Sequence, residues 1–210
     1  MKRQIKEDIA DIGRRLYEHN LNGSYGGNFS VRDEDFIYIT PTGLPKDNLA
    51  YDDILVIDFT GNVIEGTLKP SSEILFHIKI YKVRENVNAI IHAHPPYATG
   101  FAIANLPIPN NVHEESTMIL GDIPVIPYEL TSSKELAENI GNAIKDHNTL
   151  LLANHGALSV GENLERAFRR IEELENLAKM LVAANIVGKV HPIPDDKLQA
   201  LLELKKKRGL

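Results

Sequence analysis

The stretch Ala89-Ile90-Ile91-His92-Ala93-His94-Pro95-Pro96-Tyr97 sets the tightest limits on what this chain can fold into. An apolar run with the look of a strand ends in two histidines one residue apart, and a double proline then stops it. Successive strand side chains point to opposite faces, so His92 and His94 share a face. Their imidazoles can then converge on one point, as two nitrogen ligands of a metal must. Pro95 and Pro96 cannot donate to a sheet ladder but suit the first turn of a helix, so a helix is expected from Pro96 to about Asn105. The pair therefore stands at a strand end, where sites of α/β proteins tend to lie. Two histidines that merely cap a strand would give the same tripeptide, so the rest of the chain must decide.

The 210 residues suffice for a sizeable α/β core. No repeat, low-complexity tract or linker divides them, and one domain over residues 1–210 is the economical reading. The net charge of −6 argues against nucleic acid or an anionic membrane as a partner. The basic run Lys205-Lys206-Lys207-Arg208 reads as the solvated end of a helix, where cations suit the dipole. The absence of cysteine excludes disulfides and thiolate zinc sites, so any metal must be held by His, Asp or Glu. No apolar run approaches the ~20 residues of a membrane span. The segment Met1–Asp8 lacks an apolar signal region, which makes the cytoplasm the expected compartment.

A helix is expected over residues 4–20, with Ile5, Ile9, Ile12 and Leu16 on one stripe. Leu21–Ser30 is a glycine-rich turn that runs into a short strand at Phe29; its glycines suit positive φ and close approach of a ligand. Asp33-Glu34-Asp35 turns the chain into a second strand, Phe36–Thr40, and Pro41-Thr42-Gly43 forms a small turn whose backbone can bind an anion. A further hairpin folds around Thr60-Gly61. Ser71 or Ser72 is a natural N-cap for a helix carrying Ile74, Ile78 and Tyr81, and Glu73 falls in its first turn. The two hydroxyls and the free N–H groups there also suit phosphate. His77 lies one turn beyond Glu73 and reads either as a partner of the site or as a packed core histidine. Asn110–Ser116 is a polar segment between apolar neighbours, followed by a short strand, Ile123–Tyr128. Ser132 and Glu135 form a capping box for the next helix. Thr149–Ala153 is a buried strand that ends at Asn154-His155-Gly156, so a third histidine also stands at a strand end. Asn163 caps a long helix to about Val187, which Gly188 stops, and a last helix runs from Asp195 to Lys207.

Gly27-Asn28-Phe29-Ser30, Thr40-Pro41-Thr42-Gly43, Lys69-Pro70-Ser71-Ser72-Glu73, His92-Ala93-His94 and Asn154-His155-Gly156 occur in that order. Together they resemble the class II aldolase/adducin family, most closely its L-fuculose-1-phosphate aldolase branch, over roughly residues 1–185. The resemblance implies an α/β fold: a three-layer α/β/α domain around a mostly antiparallel sheet. It also implies a homotetramer with sites between neighbouring subunits. One Zn²⁺ per subunit would be held by His92, His94 and His155 with open positions left, the pattern of a catalytic metal site. Glu73 would ligate the empty metal and serve as general acid/base. Asn28, Thr42, Gly43, Ser71 and Ser72 match the family's phosphate-binding positions, so a phosphorylated sugar is the expected partner. The reaction implied is reversible cleavage of a ketose 1-phosphate to dihydroxyacetone phosphate and a small aldehyde such as L-lactaldehyde. Sister enzymes on the same site are a 4-epimerase and methylthioribulose-1-phosphate dehydratase.

One departure stands out. In those aldolases a tyrosine from a neighbouring subunit protonates the aldehyde oxygen, and at the matching place this chain carries His113, with Glu114 and Glu115 beside it. The family's tyrosine near the C-terminal end has no match in residues 188–210. His113 or Glu115 can donate that proton near neutrality; a polar surface loop is the alternative reading of the same segment.

Overall fold

A computed structural model describes residues 2–208, with the side chain of Arg208, the last member of the basic run, and Met1 outside the described residues. Its centre is one eight-stranded sheet, built from β1 (Asn28–Asp33), β2 (Phe36–Ile39), β3 (Leu55–Ile57), β4 (Val63–Glu65), β5 (Ala89–Ala93), β6 (Val125–Ile126), β7 (Thr149–Leu152) and β8 (Gly156–Gly161). The strand order is β4-β3-β2-β1-β5-β8-β7-β6. Every pairing is antiparallel except β6 with β7 at one edge. The helices are α1 (Lys2–Glu18), α2 (Ile74–Val83), α3 (Pro96–Ala104), α4 (Glu114–Leu120), α5 (Lys134–Ala143), α6 (Leu164–Val187) and α7 (Asp195–Arg208).

Alternation along the strands divides the core between the two faces of the sheet. Ala89, Ile91 and Ala93 of β5 pack with Ile9, Ile12 and Leu16 of α1 and with Phe168, Ile171 and Leu174 of α6. Ile90 faces the other way, onto Phe76 and Ile80 of α2 and Leu136 and Ile140 of α5. This is the expected three-layer α/β/α arrangement around a mostly antiparallel sheet. His92, two residues after Ile90, inherits the α2 side, and its ring meets Phe76 edge-on with centroids 5.8 Å apart.

Three local expectations change. The capping box expected on Ser132 and Glu135 does not form: the N-cap is Ser133, whose hydroxyl accepts from Leu136 N at 3.0 Å, and Ser132 sits at φ +66° and only leads in. The N-cap of α2 is Glu73 rather than a serine, and it makes no side-chain cap bond. Ser71 Oγ instead accepts from Glu73 N at 3.3 Å, leaving the Glu73 carboxylate free for the site. Finally, a strand that was not expected follows His155. A tight turn with Asn154 at φ +56° reverses the chain into β8, which lies between β7 and β5.

Candidate active site

Strand register brings the first components together. On β5, His92 lies opposite Asn28 of β1 and opposite Leu158 of β8. His94 follows at the strand's end, where its backbone N donates to Asn22 Oδ1 at 3.0 Å. Gly27 makes this approach possible: its φ is +66°, and a Cβ there would lie 2.4 Å from the His92 carbonyl oxygen. The glycine-rich loop thus approaches the histidine strand closely, in addition to opening toward the cleft. Beyond Pro95-Pro96, the N–H groups of Tyr97 and Ala98 donate to the buried Glu175 carboxylate of α6 at 3.0 and 2.9 Å, fixing the start of α3.

The three histidines meet at their Nε2 atoms. His92 Nε2 lies 3.2 Å from His94 Nε2 and 3.2 Å from His155 Nε2. Zn–N bonds of ~2.0–2.1 Å in tetrahedral geometry require nitrogens ~3.3 Å apart, so the spacing fits a tetrahedral ion. His92 Nδ1 is 2.9 Å from the Ala157 carbonyl oxygen. A carbonyl only accepts, so the proton is on Nδ1 and Nε2 presents a bare lone pair. Burial, and then the proximity of His94 and His155, hold the His92 pKa well below its usual value. Burial, followed by His155, lowers that of His94 to about 4. Both rings are therefore neutral near pH 7, the form that binds metal. Glu73 closes the fourth side, with Oε2 3.3 Å from His92 Nε2 and Oε1 3.6 Å from His155 Nε2. Oε1 is buried without a hydrogen-bond partner among the described residues. A buried carboxylate oxygen with no donor, facing a triangle of imidazole nitrogens, has the chemistry of a cation site.

Beside this cluster a cleft of about 220 Å³ is lined by Asn28, Thr42, Gly43, Ser71, Ser72, Glu73, His94 and His155. Two backbone bonds draw its walls together, Thr42 N to Lys69 O at 3.0 Å and Ser71 N to Thr40 O at 3.1 Å. The five residues matched to phosphate binding thus share one cleft with Glu73 and two of the histidines, and His92 lies buried behind them. The structure does not bring His113 or Glu115 to that cleft within a chain. His113 is the N-cap of α4, its Nδ1 2.9 Å from Ser116 Oγ, and it borders a separate hollow with Leu177 and His191. Glu115 is exposed and pairs with Arg169 at 3.1 Å.

Sequence reasoning missed Lys46 and Thr131, which also line the cleft. Lys46 is only 3% exposed, and its Nζ donates to the Leu44 carbonyl at 2.6 Å. It makes no ion pair among the described residues. Burial lowers its pKa. A buried ammonium without an ion-pair partner among the described residues, in the lining of a cleft that also holds Ser71 and Ser72, favours an anion there. Only its place beside the Pro41-Thr42-Gly43 turn could have flagged it.

Comparison with known proteins identifies the family. The family model described as class II aldolase and adducin N-terminal domain matches residues 7–182. An L-fuculose phosphate aldolase of Methanococcus maripaludis is 38% identical over 173 residues, 82% of this chain and 93% of its own. A 5-deoxy-D-ribulose 1-phosphate aldolase of Bacillus thuringiensis serovar kurstaki is 31% identical over 198 residues, 93% of this chain and 92% of its own. A solved structure described as L-fuculose 1-phosphate aldolase superposes with a TM-score of 0.90 at 37% identity, covering 97% of this chain and 96% of that one. By sequence and fold, the chain belongs to the class II aldolase and adducin family and is a lyase of the metal-dependent aldolase type.

Proposed function

We propose that the protein is a zinc-dependent aldolase that reversibly cleaves a ketose 1-phosphate of the L-fuculose 1-phosphate type to dihydroxyacetone phosphate and a small aldehyde such as L-lactaldehyde. The observation that carries the reading is the triangle of His92, His94 and His155 Nε2 atoms, with the unpartnered Glu73 Oε1 on its open side. His92, His94, His155 and, before substrate enters, Glu73 would hold Zn²⁺, which supplies a Lewis acid for the substrate's carbonyl and its neighbouring hydroxyl oxygen. Asn28, Thr42, Gly43, Ser71 and Ser72 bind the phosphate, with Lys46 as a further cation, and this remote anchor positions the reacting carbons. Glu73 delivers a proton to the carbon that has lost the aldehyde, and removes it in the direction of synthesis. The aldehyde oxygen exchanges its proton with His113 or Glu115. Because neither lines the cleft of its own chain, the donor acts from a neighbouring subunit of a homotetramer. The enzyme works in the cytoplasm; no described helix is long and apolar enough to cross a membrane.

The 5-deoxy-D-ribulose 1-phosphate aldolase among the relatives supports a second substrate with the same reaction. The test is release of dihydroxyacetone phosphate from each sugar by zinc-loaded protein, with and without a strong chelator. Chelator-sensitive release from L-fuculose 1-phosphate supports the proposal. Release only from the 5-deoxy sugar transfers it to the second substrate, and no release from either would refute the aldolase reading in favour of the epimerase and dehydratase alternatives.

A further inference from the structure

Behind Glu73 and Asn28 runs a buried line of polar groups whose further members, His77, Ser30 and Tyr81, have no part in the reaction proposed above. Asn28 Nδ2 donates to Glu73 Oε2 at 2.9 Å. His77 Nε2 lies 2.6 Å from Asn28 Oδ1, and His77 Nδ1 lies 2.7 Å from Ser30 Oγ. Ser30 Oγ lies 2.8 Å from Tyr81 OH. Ser30 and His77 are fully buried and Tyr81 is 2% exposed. The line alternates between two elements, with Asn28 and Ser30 on one face of β1 and Glu73, His77 and Tyr81 successive by four from the N-cap of α2 to its last turn.

The hydrogen positions follow from the closed end. Tyr81 OH has no described side-chain partner but Ser30, so its proton must point to Ser30 Oγ or remain unpaired in the core, at a cost of ~1–3 kcal/mol. Ser30 then gives its own proton to His77 Nδ1. His77 therefore carries its ring proton on Nε2 and donates to Asn28 Oδ1, which turns the Asn28 amide group toward Glu73 Oε2. The opposite polarity would face Asn28 Oδ1 against the carboxylate and leave the Tyr81 proton unpaired. Burial keeps the His77 ring neutral, with its pKa lowered to about 3.

We infer that Tyr81, Ser30, His77 and Asn28 form a one-way chain of donors that fixes Glu73 Oε2 as an acceptor and leaves Oε1 as the oxygen that handles the proton. His77 is then a positioning residue, acting through Asn28. The inference rests on the reading of Glu73 as the acid/base group.

Two measurements test it. Long-range ¹H–¹⁵N correlation on histidine-labelled protein should show His77 neutral, with Nε2 protonated and Nδ1 bare; a proton on Nδ1, or an imidazolium at pH 7, would overturn the inference without recourse to any variant. In kinetics on L-fuculose 1-phosphate, His77→Gln keeps one donor and one acceptor and should retain kcat near the parent value. His77→Leu removes both and should lower kcat roughly 10- to 100-fold with KM nearly unchanged. Equal kcat in the two variants, both parental or both lost, would overturn it. Glu73→Gln serves as the control: if that variant turns over normally, the assignment of Glu73 fails, and the ¹⁵N spectrum still decides the direction of the chain.

Discussion

Gly27→Ala should damage the three-histidine cluster through the backbone alone. An L-residue at φ +66° costs roughly 1–2 kcal/mol. The added Cβ would also meet the His92 carbonyl oxygen at 2.4 Å and the Ala93 Cα at 3.3 Å. Neither neighbour is a flexible side chain, so β5 must shift away from β1, and such overpacking costs roughly 1–3 kcal/mol more. The total, about 2–5 kcal/mol, is a large part of the ~5–15 kcal/mol that holds a typical domain together. Gly43→Ala is the comparison, because its φ is +76° but a Cβ there meets nothing within 4 Å; it should cost the backbone term only. The assay is urea unfolding of chelated protein, followed by zinc competition on the folded variants. Gly27→Ala should lose more stability than Gly43→Ala and bind zinc more weakly than the parent. Equal losses and parental zinc affinity in both would refute the claim that the glycine loop makes room for the histidine strand.

Other expectations follow from the cleft and the buried rings. Glu73→Gln should keep zinc and phosphate binding yet lower turnover by about 10²- to 10⁴-fold, the usual worth of a general acid/base; near-parental rates would remove Glu73 from the reaction. Lys46→Met should weaken inorganic phosphate binding by the ~1.5–3 kcal/mol of a charge-assisted hydrogen bond, roughly 10- to 150-fold by calorimetry, while the fold keeps its stability; unchanged affinity would place Lys46 outside the anion site. The folded-state pKa values of His77 and His94, about 3 and about 4, lie below the usual 6.5. On acidification the unfolded chain therefore takes up protons first. Their contribution to stability is complete above about pH 6.5 and falls by about 1.4 kcal/mol per pH unit for each group toward pH 4. Urea midpoints of chelated protein at pH 7 and pH 5 measure this, and a midpoint that holds or rises at pH 5 would contradict it.

The three-histidine cluster was legible because strand alternation converts His-x-His directly into a shared face, and because His155 adjoins a glycine at the end of an apolar run. The opposite face of the same strand, Ala89, Ile91 and Ala93, followed from the same rule. Strand β8 was not legible. Its turn is three residues, its start is Gly156-Ala157, and its inward Ser159 donates to the Ala167 carbonyl of α6, a contact invisible to local pattern. Helix α4 escaped because it is seven residues long and is capped by a histidine rather than by Ser, Thr, Asp or Asn. The burial of Lys46 comes from packing of the short turn Lys46–Asn48 against α1, where a Cβ on Gly13 would strike the Lys46 carbonyl at 2.0 Å. The polarity of the His77 line needed both elements at once, since neither β1 nor α2 alone shows that Asn28, Ser30, His77 and Tyr81 interleave.

The central claim is that His92, His94 and His155 form one metal centre. Zinc titrated calorimetrically into chelated protein tests it most directly, with the parent and His155→Ala side by side. One zinc should bind per chain of the parent. Loss of a single outer partner of a ligand costs roughly 10- to 100-fold in metal affinity, so removal of the His155 ring itself should cost more than that. Stoichiometric binding by His155→Ala at parental affinity would contradict the three-histidine centre.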